Sequence, residues 1–148
     1  LHHRDNTIHK WFLETLGVWV STLNKCEYCV EHHFAGLKRL LNDDKKATQI
    51  RSAIDTNKIE EAPLENCQKT AMEYARKLTH NPGSIREESI EKLRADGYTD
   101  GEILEINQVC AYFSYANRTV LGLGCSTKGD ILGLSPNNND DPNDWGHS

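Results

Sequence analysis

Strand patterning, long apolar runs and any excess of basic residues are missing from this chain of 148 residues. No apolar stretch reaches the roughly 18 residues needed to cross a bilayer, so no membrane partner is expected. Seventeen basic residues stand against 22 acidic ones, for a net charge of −5. A protein that neutralises nucleic-acid phosphates carries a basic stripe, and none is visible, so nucleic acid is not expected as a partner. Lys38-Arg39 and Lys45-Lys46, the densest basic positions, read as solvated. Five cysteines are too few, and odd in number, to staple a chain of this length. Nor is a staple needed, since one core of this size buries roughly 70% of the unfolded surface. No G-x-G-x-x-G follows a strand, so no cofactor is expected and reducing equivalents must come from outside. No signal peptide is visible, which together with a C-x-x-C pair leads us to expect a cytoplasmic protein. The chain opens at Leu1 rather than Met, so upstream sequence is expected to be missing.

What is present is helical periodicity. Ile8, Trp11, Phe12, Thr15, Leu16, Trp19 and Leu23 recur at three- and four-residue spacing and predict a helix over 7–23. After Asn24-Lys25 a second helix is expected from Cys26 or Glu27 to Leu41, with Asn24 and Glu27 as its capping pattern. Asp43 to Ile54 reads as a shorter, more polar helix. A fourth starts at Pro63 and carries Leu64, Cys67, Ala71, Tyr74 and Leu78 on one stripe. Ser84 with Glu87 predicts a capping box for a helix that stops at Gly97, and Thr99 with Glu102 predicts another. The latter opens the most apolar segment, Ile103 to Leu123. A helix apolar around most of its circumference is expected to be central or to lie in an oligomer interface. The fold class is therefore all-α, one helical domain over 1–136 followed by a polar tail over 137–148 that contains Trp145. Cys67 and Cys110, set among apolar residues, read as inert core thiols. Cys125, after a Gly-rich turn, reads by default as structural.

The chemistry gathers between Glu14 and His33. On a helix advancing about 100° per residue, Cys29 lies at about −60° and His33 at about −20° from Cys26, so the three share a face. His32, at about −120°, points elsewhere. Cys26 sits near a helix N-terminus, where unpaired N–H groups and the dipole favour a thiolate. His33 is able to exchange a proton with a thiol near neutral pH. If the Asn24-Lys25 break folds the first helix back onto the second, the Glu14 carboxylate approaches His33 or Cys26. Two thiols, a base and a carboxylate are the parts of a redox centre. A zinc site is the competing reading, weakened by the want of a fourth ligand. Buried structural thiols are another.

The spacing of Glu14, then eleven residues to Cys26, then Cys29 and His33, resembles the active-site motif of alkylhydroperoxidase D-like proteins of the carboxymuconolactone decarboxylase superfamily. STLNKCEYCVEHH, ARKLTHNPGSI, GYTDGEILEINQV, AYFSYANRTVLGLG and the DPNDWGHS ending resemble its uncharacterised peroxidase-related branch, over nearly the whole chain. The resemblance implies an all-helical fold, association as homo-oligomers, and peroxidase chemistry through a Cys26–Cys29 disulfide. By that analogy Cys29 attacks a hydroperoxide, Cys26 resolves the sulfenic acid, and Glu14 and His33 relay protons. An external dithiol, such as a lipoyl or thioredoxin-like protein, completes the cycle. Helix-end electrostatics alone favours Cys26 as the lower-pKa thiol, so the two lines of reasoning differ on which cysteine attacks. The chain departs from the family in having only about a dozen residues before Glu14, and in carrying Tyr28 where some members place a histidine between the cysteines. Lactone decarboxylation is not expected, because the decarboxylase members lack the paired cysteines. Dithiol–disulfide exchange, or a redox-sensing helical oligomer with little turnover, are the alternative functions.

Overall fold

The computed structural model describes residues 6–133. The expected polar tail over 137–148, with Trp145, lies outside the described residues. Among the described residues the secondary structure is entirely helical: α1 (Lys10–Leu23), α2 (Glu27–Leu41), α3 (Asp44–Asp55), α4 (Asn66–His80), α5 (Glu87–Ala95) and α6 (Asp100–Gly122). Short 3-10 turns at Ile59–Glu61 and Pro82–Ser84 punctuate the chain. No described helix is long and apolar enough to cross a membrane.

The central helix is α1, not α6. Every residue from Phe12 to Ser21 is buried, and the helix packs against α2, α3, α4 and α6. Trp19 anchors it: the ring is 1% exposed, its Nε1–H donates to the Met72 carbonyl of α4 at 2.9 Å, and the Arg76 guanidinium lies over its face. Just before the helix, the backbone N–H groups of Thr7 and Ile8 donate to the Glu105 carboxylate at 3.0 and 3.2 Å, fastening the entry of α1 to α6. The helix α6 buries only a stripe of Ile103, Ile106, Val109, Cys110, Phe113 and Asn117. Leu104, Tyr112, Tyr115 and Leu121 stay exposed on its outer side. Of the two positions expected for α6, the central one falls to α1, because the apolar residues of α6 are spread around its circumference while those of α1 have neighbours on every side.

Helix starts follow local chemistry with three exceptions. Thr99 and Glu102 form the expected capping box, each side chain bonded to the other's backbone N–H at 2.8 and 3.2 Å. Asp43 caps α3 by accepting from the Lys46 N–H at 2.9 Å. Pro63, however, does not open α4. The chain bends through Ala62 and Pro63, Leu64 turns into the core, and α4 begins only after Glu65, whose N–H donates to the Gln68 side chain. Ser84 does not cap α5 either: its hydroxyl donates to the Asn81 carbonyl within the 3-10 turn, and Arg86 takes the cap position. Between α1 and α2, Lys25 adopts a left-handed φ of 59° and the Cys26 N–H closes α1 on the Ser21 carbonyl at 2.9 Å. Cys26 thereby becomes the N-cap residue of α2 in place of Asn24. Beyond α6 the chain reverses, and Gly133 lands on α2 so closely that a Cβ there would lie 2.7 Å from the Ala35 Cβ.

Candidate active site

The tight reversal at Lys25 lays α2 against α1, so residues nineteen positions apart meet. The Cys26 and Cys29 sulfurs are 3.0 Å apart, both residues free thiols and almost wholly buried. Glu14, 1% exposed on α1, has its Oε2 2.7 Å from His33 Nδ1 on α2. That contact assigns the Nδ1 proton toward the carboxylate and leaves Nε2 as the nitrogen free to take a proton. Cys29 and His33 stand one turn apart on the same helical stripe.

Two glycines make room for this arrangement. A Cβ on Gly36 would sit 3.3 Å from Glu14 Oε2, so the absence of a side chain there lets the carboxylate lie flat against α2. A Cβ on Gly17 would come within 2.4 Å of the Phe113 ring. Phe113 fills that space and presents its ring edge-on to His33, with centroids 4.4 Å apart.

One turn further along α6, Asn117 was not singled out by the sequence reading. It is fully buried, donates from Nδ2 to the Ser21 hydroxyl at 3.0 Å, and accepts at Oδ1 from the Asn24 amide at 3.0 Å. It also hydrogen-bonds Cys29 in a sense that favours the thiolate. The only trace in the sequence is a polar residue on the i, i+4 continuation of an apolar stripe. Asn24, expected to cap α2, is thus engaged with Asn117 instead.

Burial outweighs that help. Cys29 is pushed up to about 12 from an ordinary 9.0, first by desolvation and then by the adjacent Cys26, with Asn117 opposing. Cys110, fully buried in the α6 stripe as expected of a core thiol, is also raised to about 12 by burial. Cys67, expected in the core, is instead half-buried in the first turn of α4, ahead of the residues that reach the interior. A thiol that titrates higher in the folded than in the unfolded chain stabilises the fold below pH 9.0, and that contribution is lost as pH rises toward about 12. The melting temperature is therefore expected to fall through this alkaline window. Cys110→Ala, lacking one of the two thiols, is expected to show a shallower slope; an identical slope in the variant would remove Cys110 from the account.

The other histidines among the described residues are elsewhere. His32 pairs with Asp130 at 3.2 Å and stacks against Tyr28, while His9 and His80 are exposed. Tyr28 is held protonated by burial and by Asp130, which bonds its hydroxyl. Among the described residues, no group of three or more His, Cys, Asp or Glu side chains is placed to hold a metal ion.

The described residues form a six-helix bundle in which the C-x-x-C helix carries His33 against the buried Glu14 of α1. The chain has the alkylhydroperoxidase D-like fold, and solved structures of that kind match it. One is an uncharacterized peroxidase-related protein from Silicibacter sp. TM1040, 29% identical with a TM-score of 0.74, matched over 82% of this chain and 61% of its own. Another, from Ralstonia eutropha JMP134, is described as an alkylhydroperoxidase AhpD core and an uncharacterized peroxidase-related protein. It is 25% identical with a TM-score of 0.72, matched over 91% of this chain and 64% of its own. The chain therefore spans less than two thirds of the length of either structure. No protein-family model matches the chain. No curated protein sequence matches it either.

Proposed function

We propose that this chain is a thiol-dependent peroxidase that reduces hydroperoxides through a Cys26–Cys29 dithiol, with Glu14 and His33 as its proton relay. The observation that carries the reading is the buried pair of sulfurs 3.0 Å apart, beside a contact of 2.7 Å between the buried Glu14 carboxylate and the half-buried His33 imidazole. The peroxidase-related descriptions of the two matching proteins support the same class.

The raised pKa of Cys29 is consistent with a task for such a relay. At neutral pH the thiol keeps its proton, so attack requires a base to draw that proton off. His33, with Nδ1 held by Glu14, takes the proton at Nε2. The Cys29 thiolate attacks the terminal peroxide oxygen, the O–O bond breaks, and the leaving alkoxide is protonated to the alcohol. The resulting sulfenic acid condenses with the Cys26 thiol, releasing water and forming the disulfide. An external dithiol, lipoyl or thioredoxin-like, then restores both thiols. Exposed apolar side chains of α6, among them Leu104, Tyr112 and Tyr115, support assembly of the chain with further copies of itself.

Cys29→Ser is expected to abolish peroxide consumption in an assay coupled to dithiothreitol, while Cys67→Ser retains it. Mass mapping after one equivalent of hydroperoxide is expected to show loss of two thiols as a Cys26–Cys29 disulfide. Undiminished turnover in Cys29→Ser would sink the assignment. Oxidation that alters oligomer mass without turnover would favour the redox-sensing reading instead.

A further inference from the structure

We propose that Asn117 is a positioning residue of the dithiol: from α6 it clamps the α1–α2 turn, so that the Cys26 sulfur stays where a disulfide with Cys29 can close. The inference rests on the dithiol reading of the site and deepens it, adding to Glu14, Cys26, Cys29 and His33 a residue that serves the closing step.

The turn is the weak point of the sulfur geometry. Lys25 holds a left-handed φ of 59°, which a residue with a side chain keeps only where its surroundings enforce it. Cys26 follows directly, as the N-cap of α2. Only its carbonyl joins the ladder of that helix, accepting from the Val30 N–H at 3.0 Å, while its N–H reaches back to the Ser21 carbonyl at 2.9 Å. Cys29, by contrast, lies within α2 and moves with it. A shift of the turn therefore displaces one sulfur relative to the other.

Asn117 grips this turn at two points. Its Nδ2 donates to the Ser21 hydroxyl and its Oδ1 accepts from the Asn24 amide, each at 3.0 Å. Ser21 is the same residue whose carbonyl receives the Cys26 N–H, so the clamp and the cysteine share one anchor. The bond from Asn117 to the Cys29 sulfur uses the remaining Nδ2 hydrogen and ties the second thiol to the same amide. Asn117 and Ser21 are both fully buried. A buried amide is costly unless its donors and acceptor are matched, and here both ends of the amide are engaged. Phe113, one turn earlier on α6, packs its ring on His33. One stripe of α6 thus supports both the base and the thiol pair.

The step served by the clamp balances without a further oxidant. When the Cys26 sulfur attacks the Cys29 sulfenic acid, an S–S bond forms and the S–O bond breaks, and the hydroxide leaves with the Cys26 proton as water. Holding the sulfurs 3.0 Å apart beforehand raises the effective concentration of one toward the other. A slack turn lowers it. The same quantity governs exchange with glutathione disulfide, in which the two thiols become the Cys26–Cys29 disulfide and the reagent becomes two molecules of glutathione.

The test needs no peroxide. The native chain, Asn117→Ala and Asn24→Ala are equilibrated in glutathione redox buffers, and the Cys26–Cys29 disulfide is quantified by mass mapping. Asn117→Ala is expected to lower the equilibrium constant for the disulfide by about tenfold, which is about 30 mV for a two-electron couple. Asn24→Ala cuts one arm of the clamp at a half-buried position and decides the matter if Asn117→Ala does not fold. Its constant is expected to fall by about threefold or more. Cys110→Ala, buried on the same stripe of α6, is expected to leave the constant unchanged. An unchanged or raised constant in either asparagine variant would overturn the clamp while leaving the peroxidase reading standing. An equal fall in Cys110→Ala would overturn it too, by showing a general loosening of α6. Failure of hydroperoxide to oxidise the native chain, with the glutathione shifts as expected, would overturn the peroxidase reading and leave the clamp standing.

Discussion

Glu14→Gln is expected to slow peroxide-driven disulfide formation by about a hundredfold, the lower end of what a positioned acid–base group contributes. The substitution keeps the size of the side chain, so it fits the narrow space against Gly36, where a Cβ would approach within 3.3 Å. What changes is charge. The carboxylate at 2.7 Å stabilises the imidazolium that forms when His33 accepts the thiol proton, and a neutral amide does not. Because the Cys29 thiol holds its proton tightly, the proposed cycle requires that transfer to His33 in each turnover. Stopped-flow thiol loss after a hydroperoxide pulse measures the rate, and a thermal melt checks that the variant remains folded. A rate within about threefold of the native chain would show that Glu14 is structural and that proton removal proceeds by another path.

The largest effect on stability is expected at Trp19. Trp19→Ala removes a fully buried ring from the helix that the other elements surround, leaving a cavity that α4 cannot close without breaking its own packing. Such truncations cost about 3–5 kcal/mol. The Met72 carbonyl also loses the indole N–H, and Arg76 loses the surface over which its guanidinium lies. Against a typical total of about 5–15 kcal/mol, this brings a domain of this size near its unfolding threshold. Urea denaturation followed by circular dichroism is expected to show the loss as a lower midpoint at unchanged slope. A shift equivalent to less than about 1 kcal/mol would mean that α1 is not the keystone its burial indicates.

Periodicity made the helices legible, and punctuation made most of their boundaries so. Thr99 and Glu102 cap α6 because both partners of that motif are local and nothing else competes for them. Ser84 and Pro63 carry equally good local signals, but other contacts redirect them: the Asn81 carbonyl three residues earlier captures the serine hydroxyl, and Leu64 is drawn into the core before α4 begins. The shared face of Cys26, Cys29 and His33 follows from spacing alone, and Glu14 joins it through one visible break at Asn24-Lys25. Asn117 was hidden because its role depends on α6 crossing the α1–α2 hairpin some ninety residues later. Apolar content left α6 either central or outward-facing, since it counts residues without saying how many neighbours surround them.

The burial of Glu14 within α1 has a consequence for how this chain can diverge. One helix supplies both the principal core surface and the carboxylate beside His33, so few of its positions are free to drift for either purpose alone. Latitude is left to the largely exposed α5 and to the outer faces of α3 and α6. Descendants of this chain with new partners would therefore be rewritten on those surfaces, while Gly17, Gly36 and Phe113 stay as they are. A change of size at any of the three moves a side chain of the Glu14–His33 pair before it unfolds anything.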